Sequence, residues 1–230
     1  VENKFIELGE VVGSELEELA LSADKNPPKL KIRSRVGELS NDIEKHPDFI
    51  KIEKFAFEKF GLAAMSHRHG VFGMQQPLPP IVKYGLTFLF VQSEFGLCCP
   101  LSMTDSLTRT LTKFGDKKLI EKFFDQLTSQ DLDHLFQGAM FMTEQHAGSD
   151  VGSIDTYAEY EDGNWFLTGD KWFCSNPDAD LAMVLARHNK TISGTKGLAL
   201  FLLPKKLENG NQNNYEIIKI VRKKNLICVC

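Results

Sequence analysis

The feature that most constrains this chain is a change of hydrophobic period near residue 138. Before it, apolar residues recur every three to four positions; after it, they alternate. A period near 3.6 can bury one stripe of a helix, whereas a period of two can bury one face of a strand. The chain is therefore read as α+β: an N-terminal all-α domain over 1–138, then a β-barrel or sandwich domain over 139–230.

In the first half, Phe49, Ile52, Ala56, Phe60 and Ala63 make one stripe, opened by Pro47 in the first helical turn. Pro79-Pro80 opens a second stripe through Tyr84, Phe88, Val91 and Phe95, closing near Gly96. Ser102 to Lys113 reads as a third helix ending at Gly115. Asp116 then caps a fourth carrying Leu119, Phe123 and Leu127. Val1 to Ala23 reads as one more helix, with Glu15, Glu17 and Glu18 on its wet side. Between Pro28 and Pro47 the alternation of Leu30, Ile32 and Val36 and the turn at Gly37 predict an inserted β-hairpin.

In the second half, Asp162-Gly163 between Thr156–Tyr160 and Trp165–Thr168 is a hairpin signal. Lys171–Ser175, Leu181–Arg187, Gly197–Leu203 and Tyr215–Val221 read as further strands. Short strands without intervening helices indicate a barrel or sandwich.

Composition excludes several functions. The 230 residues are 42% hydrophobic and 25% charged, with a net charge of −4, so nothing marks a nucleic-acid surface or a polybasic anchor. Lys219, Arg222, Lys223 and Lys224 are accounted for by a solvated face. The five cysteines show no CxxC spacing, which disfavours zinc and a secreted disulfide framework and fits a reducing cytoplasm. The longest apolar run, around Tyr84–Val91, is too short and polar to span a bilayer. The chain starts at Val1, and its last run, Asn225 to Cys230, has no turn or cap, which reads as a piece of a longer protein.

Most chemistry-bearing residue types have ordinary explanations. His67-Arg68-His69 lacks a carboxylate or cysteine neighbour in sequence and reads as packing or surface. Cys98-Cys99 reads as small core hydrophobes, and Asp105, Asp116, Asp131 and Asp133 as caps. Neither of the usual Gly-rich nucleotide loops is present.

Two stretches resist such explanations. In Phe141–Asp150 (FMTEQHAGSD), small Ala147 and Gly148 admit close backbone approach, and the N–H groups with the Ser149 hydroxyl can cradle an oxyanion or pyrophosphate. In Gly169–Pro177 (GDKWFCSNP), alternation on a strand would put Phe173 and Ser175 on one face, an aromatic plane beside a hydroxyl. Together they suit a flat heteroaromatic ligand with a charged tail.

The pair resembles the flavin motifs of the acyl-CoA dehydrogenase family. The first reads Met142-Thr143-Glu144-Gln145-His146-Ala147-Gly148-Ser149-Asp150, with Phe141 where a small residue is more usual; the second is Gly169 to Ser175. His46-Pro47 and the run from Gln92 to Thr104 resemble the branch containing alkylation-response proteins, which the hairpin also suits. The resemblance implies FAD as cofactor, with Met140, Phe141, Met142, Thr143, Gly148 and Ser149 along the flavin and its pyrophosphate. It further implies Thr143 at the pyrimidine edge, Phe173, Cys174 and Ser175 beside the ring, and Ser149 also touching substrate. The reaction implied is α,β-dehydrogenation of an acyl-CoA thioester, by a homo-oligomer when full length. Its catalytic base is expected in a C-terminal helical bundle beyond this sequence, since Val221 to Cys230 does not follow the family's continuation. Glu144, part of the motif, is not that base. The alternatives are a flavin-binding protective or regulatory relative and a nitroalkane-oxidising relative.

Overall fold

The computed structural model describes residues 1–220. Six helices and a hairpin precede a five-stranded sheet. The predicted first helix is two: α1 (Glu2–Val12) and α2 (Glu15–Lys25). The break falls at Gly13-Ser14, where Gly13 leaves helical geometry and the Ser14 hydroxyl donates back to the Glu10 carbonyl at 2.6 Å. The change of direction lets Leu8, Leu16 and Ala23 all reach one core.

The inserted hairpin is present as β1 (Lys29–Arg33) and β2 (Leu39–Glu44), paired antiparallel around positive-φ Gly37. Ile32, Val36 and Leu39 stay in solvent, Val36 most of all, while Leu30 and Ile43 are half-buried. Helix α3 (Pro47–Glu53) widens into a π-turn over Lys54–Lys59, and the predicted stripe lies inside: Phe49, Ile52, Ala56, Phe60 and Ala63 are all buried. Each such large apolar side chain contributes about 1.5–3 kcal/mol through burial.

Helix α4 (Pro80–Phe90) departs from expectation in length and in phase. Its buried residues are Lys83, Leu86 and Phe90, while Tyr84, Phe88 and, beyond the helix, Phe95 are more than half exposed. The phase follows Lys83, whose ammonium is ion-paired to buried Asp105. Asp105 is therefore not a cap; it lies mid-way along the inner face of α5 (Cys98–Phe114). Helix α6 (Lys117–Leu127) starts as its sequence indicates, with Asp116 accepting from Leu119 N at 2.9 Å.

The sheet is built on β6 (Leu181–Arg187), which pairs in parallel with β3 (Gly138–Phe141) and antiparallel with β7 (Leu198–Pro204). Its last residue, Arg187, meets Tyr157 of β4 (Tyr157–Glu161), which forms the predicted hairpin with β5 (Asn164–Thr168). Asp162 and Gly163 both have positive φ, the geometry that a two-residue turn between twisted strands requires. The chain is α+β as expected, and the described strands of its second half form one five-stranded sheet in which closure into a barrel is not shown. Lys171–Ser175 is a loop rather than a strand: Phe173 and Asn176 have positive φ, and Trp172 N donates to Thr143 O. Residues 215–220 are likewise not a strand, and Val221 and the Asn225 to Cys230 run lie outside the described residues.

Two apolar clusters flank the β3–β6 pair. On one side Leu181 and Met183 pack with Leu107, Leu111, Phe123 and Leu127 of α5 and α6, joined by Met140. On the other, Ala139, Phe141, Ala182 and Val184 pack with Ala179 and half-buried Cys174. The sheet is thus pressed onto the helices through β3, closely enough that a Cβ on Gly138 would come within 2.9 Å of Thr104 Cα.

Candidate active site

The two sequence stretches singled out for chemistry meet at the end of β3. Trp172 N donates to Thr143 O at 2.8 Å, and Lys171 Nζ donates to Met142 O at 3.2 Å. Lys171 also pairs with Glu144 at 2.7 Å, both side chains being under 10% exposed. Residues 29 positions apart are thus joined by one backbone–backbone bond and one from a lysine side chain.

Glu144 is the hub. Besides Lys171 it accepts from Asp155 N at 2.6 Å, Thr156 N at 3.0 Å and the Thr156 hydroxyl. Burial alone would raise its carboxyl; the Lys171 ammonium and the Thr156 and Asp155 donors outweigh it and hold the group below the usual carboxylate range. A carboxylate so surrounded is a poor proton acceptor, and its part is to close the loop. Between Glu144 and Ala147 the chain turns on paired backbone bonds of 3.0 and 3.2 Å, with Ala147 buried beneath.

After that turn the backbone is open. Gly148 and Ser149 are exposed, and a Cβ built on Gly148 meets no atom within 4 Å. The space beside it is unfilled by the protein, as a ligand cradle requires. Asp150 points away from it, accepting from Gly152 N at 3.0 Å and Ser153 Oγ at 2.6 Å, so it caps the short Val151–Ser153 turn. Arg187 pins the same turn by donating to Gly152 O at 2.6 Å and ties it to the following loop by donating to Ile192 O at 2.7 Å.

The aromatic half of the site is Phe173, 70% exposed, with φ of 54°. An L-residue with a bulky side chain rarely adopts that conformation, which costs on the order of 1–2 kcal/mol and is retained where function needs it. Trp172 meets its ring edge-on at 6.2 Å between centroids. Ser175 is buried below the loop, and Asn176 anchors the loop's far end by donating to Gln137 Oε1 and Gly138 O.

The expected site residues thus divide. Thr143, Gly148, Ser149 and Phe173 lie at or beside the open surface. Phe141 and Cys174 point their side chains into the core, and Met140 points into the cluster against α5 and α6, so these three have backbone to offer a ligand. Met142 is half-buried, its carbonyl engaged by Lys171. Sequence reasoning missed Lys171 and Arg187 as positioning residues; a cation directly after the Gly-Asp turn and another ending an apolar strand were the signals.

Comparison with known proteins follows the same boundary. Residues 1–134 match the Adaptive response protein AidB N-terminal domain, and residues 139–216 match the Acyl-CoA dehydrogenase middle domain. The chain belongs to the acyl-CoA dehydrogenase family, on its AidB branch. Acyl-CoA dehydrogenase family member 11 of Caenorhabditis elegans is 32% identical over 224 residues, covering 94% of this chain and 36% of that protein. Putative acyl-CoA dehydrogenase AidB of Escherichia coli K12 is 29% identical over 225 residues, covering 90% of this chain and 38% of that protein. The chain therefore spans little more than a third of these relatives' length. The crystal structure of C. elegans ACDH-11 in complex with C11-CoA superposes with a TM-score of 0.77 at 30% identity, covering 93% of this chain and 37% of that one. Among the described residues, no helix is long and apolar enough to cross a membrane.

Proposed function

We propose that this chain forms the flavin-cradling part of an FAD-dependent acyl-CoA dehydrogenase, acting on an acyl-CoA thioester in the cytoplasm as part of a homo-oligomer. The observation that carries the reading is the stitching of the Met142–Asp150 and Gly169–Ser175 stretches by Trp172 N, Lys171 Nζ and Glu144. The stitching brings both stretches to one surface, where a single ligand would reach Gly148, Ser149 and Phe173 together. Thr143, with the Met142 backbone, would hold the flavin's pyrimidine edge. Gly148 and Ser149 would receive the pyrophosphate on N–H groups and a hydroxyl, and Phe173 would flank the ring, with Ser175 buried beneath the loop. When bound, FAD supplies the two-electron acceptor that side chains lack.

Within this chain, the residues bind, orient and shield. Ser149, exposed beside the cradle, would also meet the acyl thioester. Glu144 is saturated by donors and is not the base; removal of the substrate's α-proton would fall to a carboxylate of a C-terminal helical bundle beyond this sequence. Residues 1–138 would make the helical domain and 139–230 the flavin-facing domain.

The test is a titration of the chain with FAD, followed by flavin fluorescence, alongside steady-state oxidation of medium- and long-chain acyl-CoA. Weak, saturable flavin binding that Phe173→Ala abolishes, without turnover, is the expected result. Acyl-CoA oxidation by this chain alone would overturn the assignment of the base, and flavin binding indifferent to Phe173 would overturn the cradle. The match of residues 1–134 to the adaptive-response branch supports a second reading, a flavin-binding protective protein without efficient turnover. It predicts flavin binding of the same kind but no dehydrogenation by a complete protein.

A further inference from the structure

A second concavity, sharing no residue with the flavin cradle, opens where the segment between the π-turn and α4 meets α6. It encloses about 280 Å³, and its lining includes His67, Arg68, His69, Gln75, Gln76 and Asp125. Four of those side chains, Arg68, His69, Gln75 and Gln76, carry N–H groups that Asp105 does not engage, against the single carboxylate of Asp125. Pro77 and Phe124 complete the wall.

The donors are held in place. His67 was expected to lack a carboxylate partner, yet its Nε2 lies 2.7 Å from Asp105 Oδ1, with both side chains 7% exposed. The other oxygen of Asp105 pairs with Lys83 Nζ. One buried carboxylate shared between an ammonium and an imidazole fixes the His67 ring and turns its other nitrogen away from Asp105. Arg68 is fixed by Nη1 donating to Thr128 O at 3.1 Å, a bond that uses one of the guanidinium's five N–H groups. Burying such a triad inside a helical domain is costly, and apolar packing would serve stability as well. A charged cluster of this kind beside a cavity is a candidate binding site.

We propose that this cavity binds a small phosphorylated molecule, with the phosphate received by Arg68, His69 and the Gln75 and Gln76 amides, and with His67, held by Asp105, forming the floor. Phosphate is favoured over carboxylate because its three terminal oxygens accept from several donors at once, whereas a carboxylate is satisfied by one bidentate guanidinium. A pocket of this size takes a phosphate and a few attached heavy atoms, not a dinucleotide. Asp125 faces a hydroxyl or amine on the remainder of the ligand.

The experiment is calorimetric titration of the full chain with inorganic phosphate, sodium chloride holding ionic strength constant so that general screening is matched. Saturable binding, weakened about tenfold or more by Arg68→Met, which corresponds to about 1.4 kcal/mol, is the expected result. Gln76→Ala, on an exposed residue, gives a second weakening if the Arg68 variant does not fold. In ¹H–¹⁵N spectra the His67 imidazole resonances shift along the same titration. Absence of saturable binding, binding unchanged in both variants, or acetate binding as well as phosphate would each overturn the proposal.

Discussion

Replacing Glu144 with Gln tests whether the latch between the two stretches is structural. The change preserves volume but removes the charge and places an amide N–H₂ among groups that all donate: Asp155 N, Thr156 N, the Thr156 hydroxyl and Lys171 Nζ. At least one donor then faces another, and Lys171 is left buried beside a neutral group. Breaking a buried pair from one side costs about 3–5 kcal/mol. A glutamine oxygen can still accept from one or two of the four donors, so the lower end, about 3 kcal/mol, applies. For a chain of this size 1 kcal/mol moves Tm by about 2–4 °C, so E144Q should unfold about 6–12 °C below the parent by circular dichroism.

The pH dependence gives an independent check. Glu144 has a folded pKa below its ordinary value of 4.5. Its stabilisation is therefore fully present above that value and is lost as pH falls through the lower, folded one. The gap between parent and E144Q should be widest near neutrality and close in acid. Other carboxylates held low, including Asp105 and Asp131, are common to both proteins and cancel in the difference. In a Lys171→Met background E144Q should cost less, since the paired charge is already gone. An unresolvable loss at neutral pH, or a gap that persists unchanged in acid, would refute the latch.

Phe173→Gly should raise Tm of the ligand-free chain by a few degrees, because relief of left-handed backbone outweighs the little packing of a 70% exposed ring, while flavin binding is lost. A fall in Tm would show that the ring packs as a core residue does. Cys98, whose thiol is pushed by burial up to about 11, should resist iodoacetamide at pH 8 in the folded state and react when urea unfolds the chain. Gly138→Ala should cost about 1–3 kcal/mol in urea unfolding, since the added carbon would lie 2.9 Å from Thr104 Cα and 3.1 Å from Met103 O.

Local signals were legible where the chain's own neighbours decide the outcome. Pro47, the Asp116 cap, the Asp162-Gly163 turn and the strand Leu181–Arg187 each follow from a few contiguous residues. What was not legible depends on partners distant in sequence. The phase of α4 is set by Lys83 reaching Asp105 of α5, so Tyr84 and Phe88, apolar in the stripe, lie outside. A charge at a core-phase position, Asp105 between Leu101 and Thr108, was the available hint. Lys171–Ser175 reads as a strand by alternation, yet its backbone bonds run to Thr143 instead of a neighbouring strand. The motif pair was legible by composition, while its stitching by Lys171 and Glu144 was not, because periodicity carries no information about which loops meet.

The position of the cradle relative to the helices is set by polar contacts as well as by the apolar core. Gly138 N donates to Thr104 Oγ1 at 2.9 Å, and Gln137 Nε2 donates to Glu53 Oε1 at 3.0 Å. Asn176, near the end of the Gly169–Pro177 stretch, donates to both Gln137 Oε1 and Gly138 O. Glu53 is 3% exposed and is neutralised by Lys45, next to the hairpin, at 2.9 Å. Burial works against the Lys45 charge, but Glu53 and Asp178 more than restore it, so its pKa is raised. An apolar seam would tolerate sliding of strand over helix by fractions of an ångström at little cost. A directional network with buried members does not, because any slip leaves a donor or a charge unsatisfied. The same residues that join helical and sheet halves therefore help fix where the loops carrying Thr143 and Phe173 start, and Lys45, just after the hairpin, belongs to that network through Glu53.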